Sequence, residues 1–150
     1  MDWKKLDWWL SLLGNLGVLG GLVFVGLEIR QNTSQLRVEA SQTITASVNE
    51  LNAGVYGDAG LADLLKRGEQ NLETLDAIER RRFDAFQFSR LNIAEYVLDL
   101  KTEGVSNLNF RFVDYVVRDF QTKPGLQEFM REYEETYVGS EELLSRLIRR

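Results

Sequence analysis

The stretch WWLSLLGNLGVLGGLVFVGLEIRQNTSQ, residues 8–35, decides the fold. Its first 20 residues, 8–27, carry no charge; Asp7 precedes them and Glu28 follows. At about 1.5 Å per residue such a helix spans roughly 30 Å, the hydrocarbon thickness of a bilayer. Seven Leu, three Val and one Phe lie in it. At about 0.3–0.6 kcal/mol each they favour insertion by roughly 3–6 kcal/mol. Asn15, Ser11 and five glycines oppose it. Trp3, Trp8 and Trp9 stand at one end, where an indole keeps its N–H among lipid headgroups. Lys4, Lys5 and Arg30 reach outward to water from the two ends.

Two other readings compete. A cleaved signal would have a shorter apolar core, no Asp2 and Asp7 before it, and a small-x-small site after it, which EIRQNTSQLRVEAS does not offer. A buried helix of a soluble bundle is opposed by the length, the tryptophans and the lack of a polar face. Residues 8–27 therefore read as a membrane span.

The other residues set bounds on chemistry. Residues 1–30 hold three acids and three bases, whereas residues 31–150 hold 20 acids and 15 bases, the whole net charge of −5. Nucleic acid is not an expected partner, because phosphates call for clustered cations. With no cysteine and no histidine, thiolate nucleophiles, Cys-ligated metals, histidine ligands and Ser-His-Asp catalysis are excluded. No cofactor is implied, and no enzymatic role.

Beyond the span, Leu36, Ala40, Ile44, Val48, Leu51 and Val55 recur at steps of four, four, four, three and four, one slightly drifting helical stripe. The span is expected to run straight into this amphipathic helix, with a distortion near Asn32 and Thr33, where polar side chains compete for backbone groups. Asp58 reads as an N-cap and Gly68 as the residue just past a helix end. Asp76 and Glu79 form a capping-box pattern ahead of a long helix with Ile78, Phe83, Phe86, Ile93, Val97 and Leu100 inward, ending before Gly104. Ser106 caps the next, with Leu108, Phe112, Tyr115, Val116 and Phe120 inward. Pro124 suits a first helical turn, followed by Leu126, Phe129, Met130 and Tyr133. Ser140 opens a last helix with Leu143, Leu144, Leu147 and Ile148. No period-two alternation marks a strand. The fold class is all-α: a transmembrane helix continuing into an amphipathic helix, then a small antiparallel helical bundle. The divisions are an anchor at 1–30, a stalk packing on the bundle at 31–57 and the bundle at 58–150.

EIRQNT at 28–33, the LADLL stretch at 61–68, Arg82-Phe83 and Pro124-Gly125 resemble an uncharacterised family of small bacterial single-pass membrane proteins. Its glycine-containing apolar run closes in an EIRQNT-like sequence. The likeness covers most of the chain; a tryptophan common in the family's late helices is replaced here by Phe110, Phe112 and Phe129. The resemblance implies a single-pass protein of the bacterial cytoplasmic membrane and supplies no activity. Lys4, Lys5 and the N-terminal amine nearly balance Arg30 and Arg37 across the span; the orientation taken is N-terminus inside, bundle outside.

Gly14, Gly17 and Gly21 share one helical face, with Glu28 about a turn or two beyond. Such a face lets two helices approach inside lipid, although five glycines in an apolar run will often produce a GxxxG step by chance. Asn15 either hydrogen-bonds across helices or finds interfacial water. The arginines at 80–82 splay around a helix and read as a solvated start; Glu132, Glu134 and Glu135 point apart and read as a solvated face; Arg146, Arg149 and Arg150 suit a helix C-terminus. The bilayer is the expected partner, together with another membrane protein or a second copy. The leading expectation is a membrane-anchored interaction module, scaffold or accessory subunit. The alternative is a membrane-tethered domain that binds a small ligand among Phe83, Phe86, Phe112, Tyr115, Phe129 and Tyr133.

Overall fold

In the computed structural model of the chain, residues 3–102, 111–133, 137, 139 and 141–147 are described, with backbone alone at 4–7, 10 and 11. The elements are α1 (Trp3–Gly57), α2 (Ala59–Gln70), a 3₁₀ turn (Leu72–Thr74), α3 (Ala77–Thr102), α4 (Arg111–Thr122), α5 (Pro124–Tyr133) and α6 (Glu141–Leu147). No strand occurs among the described residues. The fold is all-α, a long helix followed by a helical bundle. By contacts it divides into two compact units, Met1–Glu39 and Ala40–Arg150, so residues 40–57 of α1 go with the bundle.

The first unit is helix throughout its described length. Its apolar side chains are uncovered: Leu13, Phe24 and Ile29 are all about 60% exposed. An 18-residue window here reaches a mean hydropathy of 1.9, and none of it is buried. The expected distortion at Asn32 and Thr33 is absent. The Thr33 hydroxyl donates to the Ile29 carbonyl, one turn back, at 2.8 Å. That bond satisfies the side chain inside the helix instead of drawing the backbone out of it.

In the second unit, α2–α5, α4–α5, α3–α4, α2–α3, α3–α6 and α4–α6 pack together. The start of each early helix follows from local chemistry. Asp58 accepts from the Leu61 N–H at 3.0 Å and caps α2. Asp76 accepts from the Ile78 and Glu79 N–H groups at 2.8 Å, while Glu79 accepts from the Asp76 N–H at 3.1 Å. This is a reciprocal capping box with Asp in the Ser/Thr place. Pro124 is the first residue of α5, where its missing N–H is no loss. The cap positions at Ser106 and Ser140, with Gly104, Leu108, Phe110 and Ile148, lie outside the described residues.

The core holds Leu64, Leu91, Leu98, Val113, Val116 and Leu126 around an aromatic cluster. Phe129 is its hub. Phe83 and Phe120 meet it edge-on at 6.3 and 6.1 Å between centroids, Phe88 at 5.1 Å and Tyr133 at 4.9 Å. On α1, Ala40 is buried, while Ile44, Val48, Leu51 and Val55 are half-buried. Leu36, read as part of the same stripe, is exposed and belongs to the first unit.

Three further expectations need correction. Gly68 does not follow a helix end; α2 continues to Gln70 and Asn71 caps it. Gly68 is glycine because the bundle closes on it. A Cβ there would lie 2.6 Å from the Phe83 ring, and one on Gly125 only 1.9 Å from the Gly68 carbonyl oxygen. The start of α5 therefore rests directly on the α2 backbone. Ile78 is 75% exposed in the first turn of α3. The buried stripe of α3 runs Phe83, Gln87, Arg90, Leu91, Ala94, Val97 and Leu98, through two polar positions that an apolar pattern passes over. Tyr115 is half exposed, because the inner face of α4 is Val113, Val116 and Phe120 with Asp119. Those four stand at i, i+3, i+6 and i+7, one helical face, and Tyr115 stands off it.

Candidate functional site

The polar residues inside the bundle converge. Asp119 Oδ2 accepts from Arg90 Nη2 at 2.8 Å and from Lys123 Nζ at 3.1 Å. Lys123 Nζ also donates to Glu69 Oε2 at 2.7 Å, and Arg90 Nη1 donates to Gln87 Oε1 at 3.0 Å. The network ties α2, α3 and α4 together. The side chains of Arg90 and Asp119 are 7% and 6% exposed. Neither charge could remain so buried without the other, since an isolated ion there costs several kcal/mol. Burial pushes the Lys123 ammonium down, but its bonds to Glu69 and Asp119 outweigh this and hold it above its ordinary value. The Arg90 guanidinium also lies 5.8 Å from the Tyr115 ring centroid and 5.9 Å from that of Phe120. Gln87 Nε2 is the one buried side-chain nitrogen or oxygen left without a partner among the described residues.

This network forms one wall of a cleft of about 300 Å³. Val48, Leu51 and Val55 of α1, with Phe86 and Phe112, are apolar members of its lining. Lys66, Glu69, Arg90, Asp119 and Lys123 are its charged members, with Asn52 and Tyr56 among the remaining lining groups. A more open recess on the other side of Leu51 and Phe86 is lined by Ser47, Ser89 and Asn92 and contains no cation.

The six aromatics read as one ligand pocket fall into two groups. Phe86, Phe112 and Tyr115 line the cleft. Phe83 and Phe129 are fully buried in the core, and Tyr133 packs on Phe129 and donates to Asp84 at 2.9 Å. The residues that give the cleft its polarity, Glu69, Arg90, Asp119 and Lys123, were not singled out from sequence. Their one signal is spacing: Asp119 and Lys123 stand four apart, as an intrahelical pair would.

The other sequence-derived positions lie in the first unit. Gly14, Gly17 and Gly21 have nothing within 4 Å of where a Cβ would be. Glu28, Arg30, Trp3, Trp8 and Trp9 are exposed, and the Trp8 and Trp9 rings meet edge-on at 5.0 Å. The side chains of Lys4 and Lys5 lie outside the described residues. Of the arginines at 80–82, Arg80 pairs with Asp84 and Glu132, and Arg82 with Asp58. They brace the bundle surface more than a solvated start implies. Among the described residues no three carboxylates converge on a metal-sized site.

No family model, curated protein or solved structure matches the chain.

Proposed function

We propose that this chain is a non-enzymatic, single-pass membrane-anchored helical module, a scaffold or accessory subunit of the bacterial cytoplasmic membrane. One observation carries the reading. An apolar helix of spanning length leaves every side of its 18-residue window unburied, and the same helix runs on to Gly57 within the bundle unit. In water, uncovering that many Leu, Val and Phe side chains forgoes about 1.5–3 kcal/mol for each; in a bilayer the same surface drives insertion. The tryptophans at one end and the resemblance of residues 28–33 support the same placement. A bilayer and a protein partner, another membrane protein or a second copy, follow as expected contacts. Self-association would use Gly14, Gly17 and Gly21, whose faces are open to a neighbouring helix.

The test has two stages. Alkaline carbonate should leave the full-length protein in the membrane pellet; release into the wash rejects the anchor. Purification in mild detergent should then yield a stoichiometric complex, with a second copy or with another membrane protein. A single monomeric species, unchanged by crosslinking in lipid, rejects the interaction module. Gly17→Leu and Gly21→Leu should abolish a homo-oligomer, whereas Gly26→Leu, on roughly the opposite face, should not.

A further inference from the structure

We propose that the cleft between the second half of α1 and helices α2–α4 binds a small amphiphilic carboxylate. The cleft lies wholly within the Ala40–Arg150 unit, so the inference does not depend on the anchor.

Charge, shape and chemistry each bear on the occupant. The chain as a whole carries −5, yet in the cleft three cations, Lys66, Arg90 and Lys123, face two carboxylates, Glu69 and Asp119. Arg90 and Lys123 are already matched to those carboxylates. Lys66 has no ion-pair partner among the described residues, so the charge left over in the cleft is positive and resides on an exposed ammonium with three donors. Asn52 and Tyr56 add neutral donors to the same lining. A ligand cation would meet this surplus unfavourably, and a neutral ligand would leave it unanswered. A carboxylate is an acceptor for each of these donor types and restores charge balance.

The apolar part of the lining accounts for the rest of the ligand. Val48, Leu51, Val55, Phe86 and Phe112 present hydrocarbon with nothing polar to satisfy. About 300 Å³ lies at the small end of ligand clefts, which suits a small ligand. Among pockets of the bundle this one combines an apolar wall with an unbalanced cation; the neighbouring recess has no cation at all.

The probes are 3-phenylpropionate, 3-phenylpropan-1-ol and 3-phenylpropylamine, which share one body and differ in the head. Each is titrated calorimetrically into the full chain in phosphatidylcholine nanodiscs, with empty discs subtracted. The acid should bind at least tenfold more tightly than the alcohol or the amine, one charge-assisted contact being worth about that factor. Lys66→Glu should weaken the acid by about tenfold or more and leave the alcohol within about twofold; Lys66→Arg should restore the acid. Val48→Trp, which fills the apolar side, should weaken acid and alcohol together. Lys66 is exposed, so its variants should fold, and unchanged helical melting checks this. Equal binding of the three probes, no binding of the acid at millimolar concentration, or acid binding untouched by Lys66→Glu or Val48→Trp would each overturn the proposal.

Discussion

The two parts of α1 use nearly the same apolar residue types and meet opposite surroundings. Between Leu12 and Ile29 the apolar side chains point in every direction and all are exposed. From Ile44 to Val55 they fall on one stripe and are half-buried against the bundle core or its cleft. Hydrophobicity alone does not separate these outcomes; period does. A helix apolar all round calls for an apolar surrounding, while one with a single stripe calls for a single neighbour. The sharpest way to break this contrast is to place charge in the first part. Leu16→Asp with Val18→Asp should cost insertion roughly 5–7 kcal/mol, at about 2.5–3.5 for each acid near the centre of a span. The protein should leave the carbonate pellet, while the thermal melt of the bundle stays in place. A variant that still pellets, or a bundle that melts with it, would end the division of roles.

In the bundle, by contrast, removal of a charge should do the damage. Asp119→Ala strands Arg90, whose side chain is 7% exposed, and weakens the hold on Lys123. The expected loss is about 3–5 kcal/mol of unfolding free energy, the usual result of breaking a buried pair from one side. Arg90→Met in the same chain should recover much of it, and membrane insertion should be unaffected throughout. Urea melts of the single and double variants read this directly. Equal losses in both variants would mean that a stranded Arg90 charge is not what Asp119→Ala costs.

A single exchange, Gly→Ala, gives opposite signs in the two regions. At Gly26, off the proposed contact face, there is open space, and alanine should favour the helix by up to about 1 kcal/mol. At Gly125 the new Cβ would lie 1.9 Å from the Gly68 carbonyl oxygen. Backbone cannot step aside as a side-chain tip can, so α5 must lift from α2, at about 1–3 kcal/mol. Thermal melts of both variants compare the two; a stable Gly125→Ala protein would remove the close approach of these helices.

Local chemistry was legible in the sequence, and contacts between helices were not. The caps at Asp58 and Asp76, the helix start at Pro124 and the stripe of Leu126, Phe129 and Met130 depend on neighbours within one or two turns, and pattern reports those. Gly68 looked like a stop because glycine punctuates chains; its actual role lies in Phe83 and Gly125, distant in sequence. Arg90 and Gln87 were passed over because polar residues are mostly exposed, and Asp119, which makes the burial of Arg90 tolerable, is 29 residues away. Phe83 and Phe86 look alike as letters, yet one is core and the other cleft, a distinction set by helix rotation against several partners.

The smallest effect should appear on acidification, and it belongs to the bundle. Glu79 is held below its ordinary value of 4.5, first by the hydrogen bonds from Arg67 and then by the Asp76 N–H. Asp58 is held below 3.8, first by the Leu61 N–H and then by Arg82. A carboxylate whose folded-state value lies below its unfolded one stabilises the fold fully above the unfolded value, and that contribution is lost as pH falls through the folded one. The bundle should therefore weaken progressively once pH drops below about 5, where these groups begin to take up protons in the unfolded chain. Glu79→Gln still offers an oxygen to the Asp76 N–H, so the cap geometry survives, but it cannot titrate. At neutral pH the variant should be modestly less stable because Arg67 loses its charged partner on α3. On the way to about pH 3 its urea midpoint should fall less than that of the parent chain, and the two curves should draw together. Asp58→Asn should behave alike at the start of α2, with its convergence displaced to lower pH, as its lower ordinary value requires. Parallel curves for parent and variants would mean that these two carboxylates cap the helices without being linked to protons.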